Sequence, residues 1–358
     1  MNSLKDRQLR DGKILRSAEP LNLEMPFEQL EGFITPTELF YVRMHYAMPK
    51  IDRTKWRLRI EGEVERAFEL NYDELTKLAS KKAVALLECA GNTRNVLEPK
   101  VPGVQWGPGA VGNANWTGVP LSILLDRAGV KQAAREVILE GADEGPVELA
   151  GGPHGKVRFA RSVPLAKARE DVLLAYKIND VDLPAEHGFP VRAIVPGWYA
   201  VASVKWLQRV IVIDRPFNGY YQTLDYGFWK RVNGNPELEA LRVMPVKAEI
   251  AQPIDGETVP ANSRVRVHGA AWTGEGEIAK VELTVDGGAT WNETKLGETR
   301  PNAWRLWEFD WRTPATAGKR TLIARATDSN GRTQPVEHDP DRGTYMINHL
   351  LPIHVEVR

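Results

Sequence analysis

Near Met244 the sequence changes texture, and that change is the strongest constraint on what the chain can fold into. Beyond it, residues 264–268, 280–285 and 321–326 alternate apolar and polar side chains, as strands with one buried face do. Asp286-Gly287-Gly288 and Ser329-Asn330-Gly331 supply turn residues suited to tight hairpins, and helical periodicity is scarce. A segment of roughly 100 residues with this pattern is expected to form an all-β, immunoglobulin-like sandwich.

Before the change, strand and helix signals mix. Trp56-Arg57-Leu58-Arg59-Ile60 alternates, residues 84–87 and 193–195 read as buried strands, and Asn71 is placed to cap a helix opening at Tyr72. Residues 121–128 read as a second helix stopped by Gly129. Short strands and short helices intermixed predict an α+β domain without regular βαβ units. Residues 1–35 are polar with scattered apolar anchors and read as an N-terminal arm, giving an expected division into 1–35, 36–243 and 244–358.

Lys+Arg and Asp+Glu both number 47, so the formal charge is zero. A nucleic-acid binder draws its affinity from a surplus of cations, so no nucleic-acid partner is expected. A balanced total still leaves room for a local basic pocket. The single cysteine, Cys89, excludes an intramolecular disulfide, a four-cysteine zinc site, a cysteine-bound iron–sulfur cluster and a Cys-x-x-Cys-His haem attachment. No run approaches the ~18 apolar residues of a membrane helix. The first residues carry neither a signal core nor a twin-arginine pair, so the chain as given is expected to be cytoplasmic, or periplasmic had a leader been removed.

Gly107-Pro108-Gly109-Ala110-Val111-Gly112 matches the spacing of a dinucleotide-binding loop. That loop needs a helix starting within it, whereas Pro108 and the turn-like residues 113–120 favour a structural turn. Cys89 stands between an apolar strand and a Gly-Asn turn in Glu88-Cys89-Ala90-Gly91-Asn92-Thr93-Arg94. Three readings stay open for it: a small buried hydrophobe, a nucleophile needing a distant His, or one soft thiolate donor to a metal completed by a cofactor. Arg43 and His45, read alone, are a surface cation and a packed ring. Glu186-His187-Gly188-Phe189-Pro190-Val191-Arg192 and Lys205 add cationic groups able, with loop amides, to hold a phosphate.

Taken together these segments resemble the sulfite oxidase family of molybdenum enzymes. The resemblance rests on 88–94, on Trp106 through Leu121, on 174–195, on Val204-Lys205-Trp206-Leu207, and on Gly269-Ala270-Ala271-Trp272 with 285–291 near the C-terminus. It implies a mixed α+β molybdopterin-binding domain followed by a dimerisation domain, and a homodimer. It further implies that Cys89 binds molybdenum and that Arg43, Arg94, Trp106, Tyr226 and Arg342 line an oxyanion pocket. His45, Asp143, His187, Arg192 and Lys205 match positions that hold the molybdenum–molybdopterin cofactor. Met44 departs from an Asn common in the family, residues 200–203 lack an arginine of vertebrate members, and Gly227 follows Tyr226 in place of Lys.

The implied activity is oxidation of sulfite to sulfate by oxygen-atom transfer. With no haem expected, electrons would pass to an external acceptor, a c-type cytochrome or oxygen. Two alternatives remain: the same cofactor acting on nitrate or a carrier-bound sulfane, and a binding or assembly protein with a vestigial site.

Overall fold

A computed structural model describes residues 8–147 and 155–358. Alternation in the strand Arg57–Gly62 sends Leu58 and Ile60 fully inside and leaves Arg57 and Arg59 outside. That strand belongs to a five-stranded sheet ordered Gly155–Pro164, Glu136–Val147, Leu207–Ile213, Arg57–Gly62, Phe68–Asn71. Within it, Leu207–Ile213 and Arg57–Gly62 run parallel and the other neighbours antiparallel. An antiparallel second sheet runs Val181–Asp182, Leu173–Ile178, Val111–Pro120, Lys81–Glu88, with Arg192–Ile194 also paired to Leu173–Ile178.

The helices are short. Tyr72–Thr76 opens with a reciprocal cap, in which Glu74 N donates to Asn71 Oδ1 at 2.9 Å and Asn71 N to Glu74 Oε2 at 2.8 Å. Leu121–Ala128 buries Leu121, Leu124, Leu125 and Ala128, the stripe expected at helical spacing, each large side chain contributing about 1.5–3 kcal/mol. Gly129 ends it at φ 70°, where a side chain would be strained. Leu165–Glu170 and Tyr220–Thr223 are shorter still. The chain is therefore mostly β with few helices, more strand-rich than the expected mixture for 36–243. Early stop signals confine each helix to about two turns or less, and the long apolar alternations between them pair as strands.

The N-terminal segment also departs from expectation. Instead of an irregular arm, Leu9–Arg10, Lys13–Ser17, Asn22–Glu24 and Val42–Arg43 form an antiparallel four-stranded sheet. Met25, Phe27 and Leu30, the scattered anchors, are buried in the main core.

After residue 244 two sheets form, ordered Lys247–Gln252, Arg264–Trp272, Arg305–Arg312, Lys295–Leu296 and Thr258–Val259, Ile353–Val357, Gly318–Asp328, Ile278–Thr284, Asn292–Glu293. Val267 and Trp307 of one and Val281, Leu322 and Val355 of the other share a single apolar core. Trp272, Trp304 and Tyr345 instead pack into the core of the preceding residues. Trp304 Nε1 donates to Phe33 O at 2.8 Å, tying the C-terminal layers to the N-terminal segment.

Candidate active site

The strand Lys81–Glu88 delivers Cys89 to the sheet's end, where Cys89 N donates to Ala110 O and a turn closes from Asn92 N to Cys89 O at 2.8 Å. The thiol is free and 7% exposed. It faces a cavity also lined by Tyr41, Arg43, His45, Asp143, Phe159, His187, Arg192, Ser203, Lys205 and Tyr226. Sheet edges and connecting loops drawn from residues 40–226 thus converge on one sulfur.

Three cations, Arg43, Arg192 and Lys205, stand in the walls with Asp143 and Glu186. Arg192 is buried and donates to His187 O at 3.1 Å and to Ser203 O at 2.9 Å, with its guanidinium over the Trp116 ring. Burial pulls its pKa down to about 10. Lys205 Nζ donates to Glu186 O at 2.9 Å and lies 4.1 Å from the Trp206 ring centroid. His187 ends a 3-10 turn, Ala185–His187, and its buried Nε2 has no partner, nor does Asp143 Oδ1. Unpaired polar atoms inside a protein are costly, and beside a cavity these two are available to a ligand. Burial, then Lys205 and Arg192, hold His187 well below the usual imidazole value.

On the opposite wall His45 Nε2 and Tyr226 Oη share a hydrogen bond of 2.6 Å, and the His45 ring stacks on Phe159. Burial, with Arg43 and Lys205 adding, keeps His45 neutral at ordinary pH. Burial also pushes Tyr226 up to about 12, with Arg43 opposing, so its hydroxyl keeps its proton. Arg43 bonds Asn22 Oδ1 and the Met44 carbonyl.

Asp143 and Lys205 make the pH behaviour of the cofactor-free chain testable. Burial raises the Asp143 carboxyl from 3.8 to about 6 against the pull of Lys205. Burial and then Arg192 lower Lys205 from 10.5 to about 7, with Asp143 opposing. From 3.8 to about 6 the folded chain binds more protons than the unfolded one, so rising pH destabilises it. From about 7 to 10.5 the unfolded chain binds more, so rising pH stabilises it. Urea midpoints measured across pH should show this pair's contribution at its lowest near pH 6–7, between the values of about 6 and about 7. Lys205→Met should remove the alkaline rise, and an unchanged rise in that variant would refute the assignment.

Arg94, Trp106 and Arg342, expected beside Arg43 and Tyr226, do not line this cavity. Arg94 donates to Thr344 O at 3.0 Å and Val104 O at 2.9 Å, and its guanidinium lies over the Tyr345 ring, which stacks 4.9 Å from Tyr226. It therefore stands one ring behind the wall. Trp106 is fully buried with its Nε1 unpaired, edge-on to Tyr41. Arg342 turns to Asn348 Oδ1 at 2.7 Å and Asp339 at 3.6 Å. Tyr41 and Tyr345 were not anticipated. Tyr345 had a signal, three residues after Arg342; Tyr41 had none beyond lying two residues before Arg43.

The Gly-rich loop serves a structural purpose. Gly107 N and Gly109 N donate to the carboxylate of buried Glu24 at 2.9 and 3.1 Å. Any side chain at Gly109 would strike Met25 O. The amides that would grip a pyrophosphate grip the chain's own N-terminal sheet instead.

Residues 45–221 match the oxidoreductase molybdopterin binding domain and residues 239–351 the Mo-co oxidoreductase dimerisation domain. The mitochondrial sulfite oxidase of Mus musculus is 36% identical over 344 residues, covering 90% of this chain and 61% of that protein. The sulfite oxidase of Gallus gallus is 36% identical over 347 residues, covering 90% and 73%. The crystal structure of the sulfane dehydrogenase SoxCD from Paracoccus pantotrophus superposes with a TM-score of 0.81 at 28% identity, over 97% of this chain and 87% of that one. A molybdopterin-binding oxidoreductase fold with a dimerisation domain is thus defined. The chain belongs to the sulfite oxidase family. It spans about three fifths of the length of the mammalian relatives it matches.

Proposed function

We propose that the chain oxidises sulfite to sulfate using a molybdenum–molybdopterin cofactor. The observation that carries this is one thiol, Cys89, facing a cavity whose other walls hold Arg43, Arg192 and Lys205 and two unpaired buried polar atoms. Those residues fit the group. The thiolate is a soft metal donor. His187 Nε2 and Asp143 Oδ1 want polar partners, and Lys205, Arg192, His45 and His187 can hold a pterin and its phosphate. When bound, the group supplies oxygen-atom transfer and takes up the two electrons that sulfite and water release on forming sulfate and two protons.

The chain's own residues bind and orient. Arg43 holds the anion through charge-assisted hydrogen bonds worth ~1.5–3 kcal/mol each. Tyr226, protonated and bonded to His45, donates a hydrogen bond and holds a proton at Oη. Tyr345 stacks on Tyr226 and keeps the Arg94 charge one ring away. Trp106 backs Tyr41, and Arg342 stays outside this cavity, bonded to Asn348. Phe159 and Tyr41 line the cavity, and Tyr221 packs against Phe159.

A sulfane-type substrate is the second reading, favoured by an outer cleft. Ser17, Glu19, Tyr46, Gly103, Tyr220 and Tyr221 surround about 480 Å³ of space that reaches Arg43 and His45, room for more than a four-atom anion. We further read the chain as an α+β catalytic domain over 36–243, preceded by the segment 1–35. An immunoglobulin-like sandwich over 244–358 would dimerise two copies. Electrons would pass to an external c-type cytochrome or oxygen without a haem in this chain, in a cytoplasmic or periplasmic setting. Among the described residues no helix is long and apolar enough to cross a membrane.

Elemental analysis of protein from a molybdopterin-competent host, with sulfite-, nitrate- and persulfide-dependent assays in one preparation, tests this. Molybdenum near one per chain and sulfite-dependent cytochrome c or dye reduction are expected. Loaded protein that ignores sulfite defeats the substrate assignment. Turnover of persulfide alone selects the second reading, turnover of nitrate alone a reductase, and metal-free protein a binding role.

A further inference from the structure

Beneath the Cys89 turn lies a cluster of charges that the chemistry above does not use. Lys247, Glu88 and Glu249 are 1%, 2% and 6% exposed. Lys247 Nζ lies 3.3 Å from Glu88 Oε1 and 3.1 Å from Glu249 Oε1, and donates to Thr93 Oγ1 at 2.6 Å. Thr93 in turn donates to Glu249 Oε1 at 3.0 Å. Glu88 Oε1 also accepts from Asn92 Nδ2, and Glu88 Oε2 from Trp272 Nε1 at 2.9 Å. Buried ion clusters seldom add net stability over apolar packing of the same volume, so their placement asks for another purpose.

The placement is selective. Glu88 precedes Cys89 and Thr93 follows it, so both flanks of the sulfur are gripped by Lys247, Glu249 and Trp272 of the C-terminal layers. Thr93 has φ 69°, a left-handed conformation that a β-branched residue keeps only when its surroundings impose it. Here Thr93 N donates to Gly107 O at 2.9 Å and its hydroxyl is held between Lys247 and Glu249. The next residue is Arg94, which opens the 3-10 turn Arg94–Val96. The same strand, Lys247–Gln252, reaches the Arg342 loop: Ala248 N donates to Gln334 Oε1, Gln334 Nε2 to Asn348 O, and Asn348 Oδ1 accepts from Arg342.

We propose that Lys247, with Glu88 and Glu249, is a positioning residue that locks the Cys89–Arg94 turn to the C-terminal layers. It sets the sulfur and the Arg94 guanidinium relative to one another. The charge cluster touches neither substrate nor cofactor and acts through Thr93. The effect on turnover rests on the sulfite reading; the effect on the thiol does not.

The test uses the full chain and one cysteine, which makes thiol labelling unambiguous. Thr93→Val removes the hydroxyl at nearly constant shape, Thr93→Ser retains it, and Lys247→Met removes the charge. In cofactor-free protein, Thr93→Val should react with a small aromatic disulfide at Cys89 about tenfold faster than wild type, as loss of one buried hydrogen-bonding group would give. In molybdenum-loaded protein it should raise the sulfite KM about tenfold with kcat within about twofold. Thr93→Ser should stay within about twofold of wild type in both measurements, and Lys247→Met should exceed Thr93→Val. Wild-type thiol reactivity in Thr93→Val, or equal effects in Thr93→Val and Thr93→Ser, overturns the proposal. Should Lys247→Met fail to fold, the threonine pair decides. Absence of sulfite turnover in wild type strikes the substrate reading alone, because the thiol rates need no metal.

Discussion

Cys89→Ser should lower sulfite turnover by at least about a hundredfold, since even residues supporting a metal's ligands are worth about 10–100-fold. A serine oxygen is a hard, weakly acidic donor and cannot replace a soft thiolate. The substitution is otherwise mild. Cys89 is buried, its backbone bonds to Ala110 and Asn92 do not involve the sulfur, and the remaining cavity walls come from other segments. The thermal midpoint should therefore stay close to wild type while turnover disappears. Steady-state dye reduction with elemental analysis of the same sample checks this. A folded, loaded serine variant retaining more than about a tenth of wild-type activity would sink Cys89 as the ligand.

Arg43→Met should raise the sulfite KM by about 10–150-fold, the range of one lost charge-assisted bond. Arg43 is the arginine of the proposed anion set that lines the cavity, whereas Arg94 stands behind Tyr345 and Arg342 turns to Asn348. Arg43 also opposes the burial that raises the Tyr226 pKa. Its removal should thus move the alkaline limb of the pH–rate profile upward. Arg43→Lys keeps a charge but loses the planar fork, and should recover only part of the KM. Initial rates over pH for the three proteins provide the check. A KM for Arg43→Met equal to wild type would mean the anion sits elsewhere.

Much of the fold could be read locally. Asn71 and Gly129 bounded their helices through capping and a left-handed stop, and alternation marked the strands around Leu58 and Val267. Glu24 could not be read this way. Its carboxylate meets Gly107 and Gly109 across more than eighty positions, so the segment 8–35 looked irregular when its partners lay in another sheet. The site divides along the same line. Cys89, His187, Arg192 and Lys205 stand in motifs whose neighbours announce them, and the cavity gathers them with Arg43, His45, Asp143 and Tyr226. The stack of Arg94, Tyr345 and Tyr226 joins residues some 250 positions apart, beyond what spacing can signal. Likewise, Lys247 reads as an ordinary strand-opening lysine until the fold buries it against Glu88.

The reach of residues 344–346 back to the cysteine turn bears on when the molecule becomes able to take up a cofactor. Thr344 O accepts from Arg94, Tyr345 completes the ring stack, and Met346 N donates to Ala90 O at 3.0 Å. A chain emerging from the ribosome at about 5–20 residues per second offers its N-terminal part first. The turn bearing Cys89 would then wait more than ten seconds for the segment that fastens it. The cysteine turn is thus fastened late in synthesis although the cavity walls themselves come from residues 40–226, and on the proposed reading cofactor uptake would follow the arrival of residues 344–346.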